Sequence, residues 1–154
     1  ADWPRAESEV ASLLSSSDGF VPAQLLMAGI HAHLGRYREA SDCATRVLRL
    51  NSLEPKAHLL LGMIAARNGR SEDAITALRR ALDLDDSLAL GYFWLGNLYR
   101  DQGNVEGACA EYARAVMRHD RRELDFTEEF AADLRPGQIV DFCRSSLERL
   151  RGTW

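Results

Sequence analysis

The chain has 154 residues, of which 46% are hydrophobic and 27% are charged, and its formal net charge is −4. This length suits a single domain with a sizeable core, and the acidic balance argues against nucleic-acid binding, which needs a clustered basic face. No apolar run is long enough to cross a bilayer and the N-terminus shows no signal peptide, so we predict a cytoplasmic protein without membrane insertion.

The first predicted element is an N-terminal helix over residues 4–16, within a flanking segment that we assign to residues 1–20. Pro4 suits the first turn of a helix. The apolar side chains of this helix share one face: Ala6, Val10, Leu13 and Leu14. The following SSSDG breaks the helix, which indicates an N-terminal cap or the remnant of a preceding half-repeat.

Three consecutive segments then repeat one pattern without gaps. They cover residues 21–54, 55–88 and 89–122, a spacing of 34 residues. The same residue types recur at equivalent positions: Gly35, Gly69 and Gly103; Ala40, Ala74 and Ala108; and Met27, Leu61 and Leu95. A fixed period of this kind indicates stacked copies of one structural unit.

Each unit predicts two helices joined by a turn at its glycine. In the second unit, apolar residues between 59 and 66 cover most of the helix circumference, as expected for a helix packed on two sides. Gly69 suits the left-handed position that ends a helix. Ser71 is a good N-cap for the second helix, in which Ala74 and Leu78 belong to an inward stripe.

The repeat pattern is lost after residue 122, and we assign residues 123–154 to an acidic spacer and a capping helix. The spacer is ELDFTEEFAADLR. The helix is predicted over residues 136–151, and its apolar stripe is Ile139, Val140, Cys143, Leu147 and Leu150. Such a helix covers the exposed end of a stack of repeats. The alternative is that it folds back and occupies the inner surface of the repeats.

The repeated pattern resembles the tetratricopeptide repeat, whose signature is W-x2-L-G-x2-Y followed by Ala, an aromatic residue, Ala and Pro. The third unit matches best, with signature positions taken by Tyr92, Leu95, Gly96, Tyr99, Ala108, Tyr112 and Ala115. The terminal proline is absent from all three units. The resemblance implies an all-α fold: a superhelix of three helix-turn-helix repeats with N- and C-terminal flanking helices.

The same resemblance implies a concave groove that binds a protein or peptide partner. By family position, the groove is lined by Leu25, Gly29, Ala32 and His33; by Lys56, Leu59, Met63, Ala66 and Arg67; and by Leu90, Phe93, Asn97, Arg100 and Asp101. Family members that hold the C-terminal carboxylate of chaperones use Lys and Asn at set positions, and only Asn97 fits here, so we reject that partner class. The apolar groove residues either form a hydrophobic peptide site or contact a flanking helix.

Trp94 stands where the family usually places a polar residue. If it is exposed, its large side chain is a candidate surface anchor for a partner. The alternative is that Trp94 packs against Phe126 or Phe130 of the C-terminal segment.

No arrangement of residues suggests catalysis or a bound cofactor. His31 and His33 are two residues apart and point to different faces of a helix, so they cannot share a metal ion. Three widely spaced cysteines, Cys43, Cys109 and Cys143, indicate reduced and mostly buried thiols rather than disulfides or a zinc site. We therefore predict no enzymatic activity, cofactor or metal on this chain.

Residues 20–150 also resemble the repeat region appended to CheR-type chemoreceptor methyltransferases of bacteria. The stretches ALDLDDSLALGYFWLG and DQGN and the tail LRPGQIVDFCRSSLERL carry this resemblance. It implies the regulatory module of a protein-glutamate O-methyltransferase, separated from its catalytic domain and able to contact that domain or the receptor. The second hypothesis is a free-standing adaptor for assembly of a protein complex. The third is a catalytic or metal-dependent protein of unrecognised type.

Overall fold

The computed structural model describes residues 3–16, 21–118 and 136–152, and these ranges contain eight α-helices and no β-strand. The helices are α1 (Trp3–Ser16), α2 (Val21–His33), α3 (Tyr37–Leu50), α4 (Pro55–Arg67), α5 (Ser71–Leu84), α6 (Ala89–Asp101), α7 (Val105–Arg118) and α8 (Pro136–Arg151). The predicted all-α fold, with two helices in each repeated unit, is confirmed.

The helices of the three units form two layers. Within each unit the two helices pack on each other, α2 on α3, α4 on α5 and α6 on α7. The second helix of a unit also packs on the first helix of the next unit, and α4 contacts α6. In the described ranges, α3 and α5 contact each other less than α4 and α6 do. Because α4 and α6 contact each other, we call the side formed by the first helices α2, α4 and α6 the inner surface.

A glycine in the left-handed conformation ends the first helix of each unit, as predicted. The φ angles of Gly35, Gly69 and Gly103 are +73°, +71° and +75°. At the second turn, the Gly69 N–H donates to the Ala66 carbonyl at 3.0 Å, and the Arg70 N–H donates to the Ala65 carbonyl at 2.9 Å. These two bonds satisfy carbonyl groups that the end of a helix otherwise leaves unpaired.

Two other glycines allow the helices of one unit to approach closely. A Cβ atom added at Gly62 would lie 2.7 Å from the Cγ atom of Leu78, and one added at Gly96 would lie 2.6 Å from the ring of Tyr112. Both partner side chains are fully buried. Glycine at this position of the repeat therefore has a steric cause, because a close-packed core leaves no room for one more methyl group.

The prediction that Ser71 caps the second helix of its unit is wrong by one residue. Helix α5 begins at Ser71, and the flanking Arg70 makes no capping hydrogen bond with its side chain. The Arg70 carbonyl accepts a hydrogen bond from the Ala74 N–H at 3.0 Å. Glu72 and Asp73 place negative charge in the first turn. This charge, rather than a hydroxyl cap, favours the start of the helix.

Helix α1 packs on α2 much as α3 packs on α4, and so takes the place of a second helix from a preceding unit. Its Glu7 accepts a hydrogen bond from Arg36 Nη1 at 2.6 Å and lies 3.7 Å from His31 Nδ1. Val10 is buried in the common core. These contacts attach α1 to the first repeated unit.

Helix α8 covers the C-terminal end of the stack. It packs mainly on α7 and also contacts α6. In the same way, α6 packs mainly on α5 and also contacts α4. Within its predicted apolar stripe, Ile139, Val140 and Cys143 are buried, and Leu147 and Leu150 pack on the core while partly exposed. The helix therefore lies where the first helix of a further unit would lie, and not along the inner surface of the repeats.

Candidate functional site

The predicted groove residues lie on α2, α4 and α6, the helices of the inner layer. Six of the apolar side chains are buried: Leu25, Ala32, Leu59, Met63, Leu90 and Phe93. The polar ones are half-buried or exposed: His33, Arg67, Asn97, Arg100 and Asp101. The buried side chains contribute to the core, so the accessible part of this surface is mainly polar.

At the centre of the inner surface, Arg67 lies over two aromatic rings that come from different units. Its Cζ atom is 5.4 Å from the centroid of the Tyr37 ring and 5.6 Å from that of the Trp94 ring. Its Nη1 atom donates a hydrogen bond to the Tyr37 hydroxyl at 3.0 Å. We call these three residues the arginine stack. Because one residue comes from each unit, cation–π attraction and a hydrogen bond here connect all three units.

Trp94 is half-buried and also meets the core. Its ring lies edge-on to that of Phe93, with centroids 6.1 Å apart and planes at 80°. Its Nε1 atom is buried and has no hydrogen-bond acceptor within the described ranges. The alternative partners, Phe126 and Phe130, lie outside the described residues. Contact with Arg67 places Trp94 on the inner surface, and its role as an anchor for a partner stays a prediction.

A shallow pocket adjoins the arginine stack, and its lining is mostly apolar: Ala32, Tyr37, Leu60, Met63, Ile64 and Arg67. Sequence reasoning missed Tyr37, because that residue opens the second helix of its unit whereas the groove is assigned to first helices. A signal was present. Tyr37 occupies the position that Ser71 and Val105 take in the other units, so an aromatic ring there departs from the repeat.

The C-terminal end of the inner surface is closed by Phe142 of α8. The centroid of this ring lies 5.6 Å from that of Phe93 and 6.0 Å from that of Tyr112, in edge-to-face contacts. Arg100 lies over the same ring, with its Cζ atom 5.9 Å from the centroid. Arg100 also donates two hydrogen bonds to Asp101 Oδ1, at 3.0 Å and 2.8 Å. Phe93 is therefore packed against a flanking helix, which was one of its two predicted roles.

Asn97 is engaged in the same region, because its Oδ1 atom accepts a hydrogen bond from the Tyr112 hydroxyl at 2.8 Å. Burial raises the pKa of Tyr112 to about 12, with the nearby Arg100 acting in the opposite direction. The phenol is therefore protonated at neutral pH and acts as the donor. Asn97 is the groove residue that fits the family members which bind a C-terminal carboxylate. Its side-chain oxygen is hydrogen-bonded to Tyr112 of the same chain.

Within residues 3–16, 21–118 and 136–152, no group of three or more His, Cys, Asp or Glu side chains is placed to hold a metal ion. The cysteines are free, with Cys43 and Cys143 buried and Cys109 half-buried. Burial raises the pKa of Cys143 to about 12, so its thiol is unreactive at neutral pH. No helix in those ranges is long and apolar enough to cross a membrane.

Comparison with known proteins bears on the whole repeat region. Two family models, both described as tetratricopeptide repeat, match residues 25–89 and 89–118. No curated protein matches the sequence. Among solved structures, the crystal structure of MamA is 18% identical with a TM-score of 0.67, and the match covers 98% of this chain and 88% of that chain.

Two further similar structures are described in terms of peptide binding. The first tetratricopeptide domain of Spaghetti (RPAP3), bound to the HSP90 peptide SRMEEVD, is 16% identical with a TM-score of 0.64, over 86% of this chain and 94% of that chain. YrrB, described as having an unusual peptide-binding site, is 16% identical with a TM-score of 0.62, over 98% of this chain and 79% of that chain. At these identities the likeness establishes the shared fold.

Proposed function

Because this chain belongs to the tetratricopeptide-repeat family, we propose that it is an interaction module that binds a peptide or protein segment on its concave side. The observation that carries the proposal is the arginine stack beside an apolar pocket on the inner surface. Arg, Trp and Tyr are the residues most enriched at binding hot spots. An arginine already ordered by aromatic contacts loses less freedom when a partner arrives, which favours affinity.

We further propose that the module regulates a CheR-type protein-glutamate O-methyltransferase in the cytoplasm. The support is the resemblance of ALDLDDSLALGYFWLG, DQGN and the C-terminal helix to the repeat region of those proteins. In this role the chain contacts the catalytic domain or the cytoplasmic helices of a chemoreceptor, and so affects which glutamates are methylated. The chain itself contributes docking and no methyl-transfer chemistry.

A methyl-transfer assay tests this role. A CheR-type catalytic domain and a chemoreceptor cytoplasmic domain from the same cell are incubated with and without this chain, and the modified glutamates are mapped by mass spectrometry. We expect the chain to change the rate or the set of modified sites. Trp94→Ala should abolish the effect because it removes one side of the arginine stack, whereas Met117→Ser should preserve it because Met117 is an exposed residue of the outer helix α7.

The outcome of this assay distinguishes the general proposal of an interaction module from the specific proposal of a methyltransferase regulator. If the methylation pattern stays unchanged even when the chain is covalently linked to the catalytic domain, the methyltransferase role is wrong. A free-standing adaptor is then the remaining function of this class. It is identified by a defined partner whose binding Trp94→Ala weakens and Met117→Ser leaves intact.

A further inference from the structure

We propose that the outer layer carries a second docking surface, which binds an amphipathic helix with acidic residues beside its apolar stripe. The inference goes beyond the proposed function, because it concerns the second helices of the repeats and not the inner surface. Leucines and arginines of α3, of α5 and of the turn after α3 form this surface. We call it the leucine–arginine edge, and its members are Leu50, Leu53, Leu84, Arg46, Arg49 and Arg80.

Exposed leucines form the apolar part of the edge. Within the described ranges, large hydrophobic side chains are exposed at three positions, and two of these are Leu50 and Leu53, which are 52% and 58% exposed. They lie three residues apart, where α3 ends and the turn to α4 follows. Leu84, at the end of α5, is half-buried and lies outside the core cluster of the described residues. Single exposed apolar residues are common, whereas a group of them indicates an interaction site.

The repeat brings these leucines to one boundary. Between the second and third units, Arg118 Nη2 lies 2.6 Å from Asp86 Oδ2. The equivalent residues between the first and second units, 34 positions earlier, are Leu84 and Ser52. The turn that carries Leu53 therefore lies opposite Leu84. The first boundary thus has apolar residues where the second boundary has an ion pair.

Arginines border the leucines on both helices. Each helix has an arginine four residues before its leucine, Arg46 on α3 and Arg80 on α5. Residues at this spacing lie on the same helix face. Arg49 directly precedes Leu50. All three arginines are exposed, and none of them forms an ion pair or a side-chain hydrogen bond in the part of the chain that the structure describes.

The acidic residues near the edge do not pair with these arginines. Glu54 accepts a hydrogen bond from a backbone N–H in the first turn of α4 and so caps that helix. Asp85 accepts a hydrogen bond from the backbone N–H two residues later. Asp42 and Asp83 are exposed on α3 and α5 and form no ion pair with any described residue. The arginine donors of the edge are therefore accessible to the carboxylates of a partner.

The third unit has a closed version of the same surface. Arg114 occupies the arginine position of the repeat and Arg118 occupies the leucine position. Arg114 pairs with Glu111 at 2.7 Å, and Arg118 pairs with Asp86 at 2.6 Å. The docking surface is therefore limited to the first two units, where the leucines are present and the arginines are unpaired.

An amphipathic helix fits the spacing of the leucines. Leu50 and Leu84 are one repeat apart, a separation on the order of one helix diameter, about 10 Å. Seven residues of helix also rise about 10 Å, so apolar side chains one heptad apart reach both leucines, and one between them reaches Leu53. Carboxylates beside this apolar stripe then accept charge-assisted hydrogen bonds from the arginines.

Two synthetic helices with blocked ends test the inference on the full chain by isothermal titration calorimetry. One has a leucine stripe bordered by glutamates, and the other has glutamine in place of each glutamate. We expect the glutamate helix to bind about tenfold more tightly, because three exposed ion pairs each contribute modestly. The ratio of the two affinities should fall towards one in about 0.5 M salt, which screens exposed charges.

Matched variants assign the binding to the edge. Leu50→Ser combined with Leu53→Ser should weaken the binding of both helices about tenfold, since apolar contact area is lost. Met117→Ser, at an exposed residue of the outer helix α7, should leave both affinities unchanged. Glutamine at the three arginines of the edge should remove the preference for glutamate. Glutamine at three exposed arginines elsewhere should preserve it: Arg38, Arg144 and Arg149.

Several results would overturn the inference: no binding of either helix, equal binding of the two, or affinities that the variants of the edge do not change. Loss of binding in a folded Trp94→Ala variant would place the helix on the inner surface instead. Retained binding in Trp94→Ala would support a separate surface, and the methyl-transfer assay tests the proposed function independently.

Two measurements test other occupants of the edge. Sedimentation velocity would show a concentration-dependent dimer, abolished by Leu50→Ser with Leu53→Ser, if a second copy of the chain covers it. Flotation with phosphatidylserine vesicles would show binding that depends on the same leucines if the edge meets a lipid surface. Either result would overturn the inference, and a monomer that does not float with the vesicles would support it.

Discussion

The inner surface has two regions in which an arginine lies over an aromatic side chain: Arg67 lies over two rings and Arg100 over one. The two regions differ in the residues around these contacts. At the centre, Arg67 lies over Tyr37 and Trp94, and the arginine is exposed beside a shallow pocket. At the C-terminal end, Arg100 lies over Phe142, a residue of the flanking helix α8. The contacts of Arg67 join three repeated units, whereas the contact of Arg100 joins the last unit to the flanking helix α8.

The difference shows that an arginine–aromatic contact has no fixed function. Arg100 donates hydrogen bonds to the Asp101 carboxylate of its own helix, which balances its charge locally. The ring of Phe142 in turn packs edge-to-face on the buried ring of Phe93. That region extends the core. Arg67 instead donates a hydrogen bond to the Tyr37 hydroxyl across a unit boundary and belongs to the lining of the pocket. The neighbouring helix therefore decides whether such a contact extends the core, as at Phe142, or lies beside an exposed arginine, as at Arg67.

The largest effect on this comparison is expected from Phe142→Ala. The variant removes a ring that contacts Phe93 and Tyr112, and because Phe142 is only half-buried we expect a loss near the lower end of the usual range, about 3 kcal/mol of unfolding free energy. Urea denaturation followed by circular dichroism measures the change. Asp141→Ala, at an exposed neighbouring position, should have little effect. Loss of partner binding at the arginine stack in a folded Phe142→Ala variant would contradict the separation of the two regions.

The next effect concerns the packing beneath the closed region. Gly96→Ala should destabilise the protein by about 2 kcal/mol, because the new methyl group would overlap the buried ring of Tyr112. Gly152→Ala is the matched control, since its added Cβ would lie 3.4 Å from the Glu148 carbonyl oxygen and outside the core. Denaturation midpoints compare the two variants. Equal stability of both would show that the Tyr112 ring can move aside.

Much of this fold follows from the sequence because its signals are local and repeated. The left-handed turn at Gly69, the close approach at Gly96 and the α8 bounds Pro136–Arg151 each depend on a few neighbouring residues. Repetition adds further support, since three copies with the same small residues at the same positions exclude most alternative packings. The Ser71 N-cap fails because helix ends depend on one or two residues that the repeat does not constrain.

The side-chain contacts between units are much harder to predict from the sequence. Tyr37 joins Arg67 across a unit boundary, and Phe142 joins Phe93 across another, yet neither contact leaves a period in the sequence. The predicted apolar stripe of α8 does not include Phe142, although this residue supplies the aromatic contacts that close the surface. Which side chains meet between units depends on the twist of the whole stack, and this twist is a tertiary property.

Alkaline pH offers a way to test the burial of Cys143 in the closed region. Cys143 of α8 is fully buried, and burial raises the pKa of its thiol from 9.0 to about 12. The unfolded chain therefore loses this proton first, so the stabilisation is complete below pH 9 and is lost as the pH rises towards 12. Between pH 8 and pH 10 this group should lower the unfolding free energy by about 1 kcal/mol.

Comparison of the wild type with Cys143→Ala isolates this contribution. Burial also raises the pKa values of Tyr112, Cys43 and Tyr92, and these groups act in the same direction but are present in both proteins. Chemical denaturation at each pH should therefore show a smaller alkaline loss in Cys143→Ala. Parallel pH profiles of the two proteins would mean that solvent reaches the thiol in the folded state. Binding at the arginine stack, which contains no cysteine, should depend on pH independently of this substitution.

The smallest effect on stability is expected at the centre, where Arg67 is exposed. A double-mutant cycle of Arg67→Met and Tyr37→Phe removes the charge and the accepting hydroxyl separately and together. Because Arg67 is exposed, we expect a coupling of only about 0.5–1 kcal/mol in unfolding free energy. Arg67→Met combined with Arg80→Gln should be additive, since Arg80 lies on the outer layer. A coupling of about 3 kcal/mol would instead make the arginine stack a structural joint between units, like Phe142 at the cap, and would weaken the argument that Arg67 is held there for a partner.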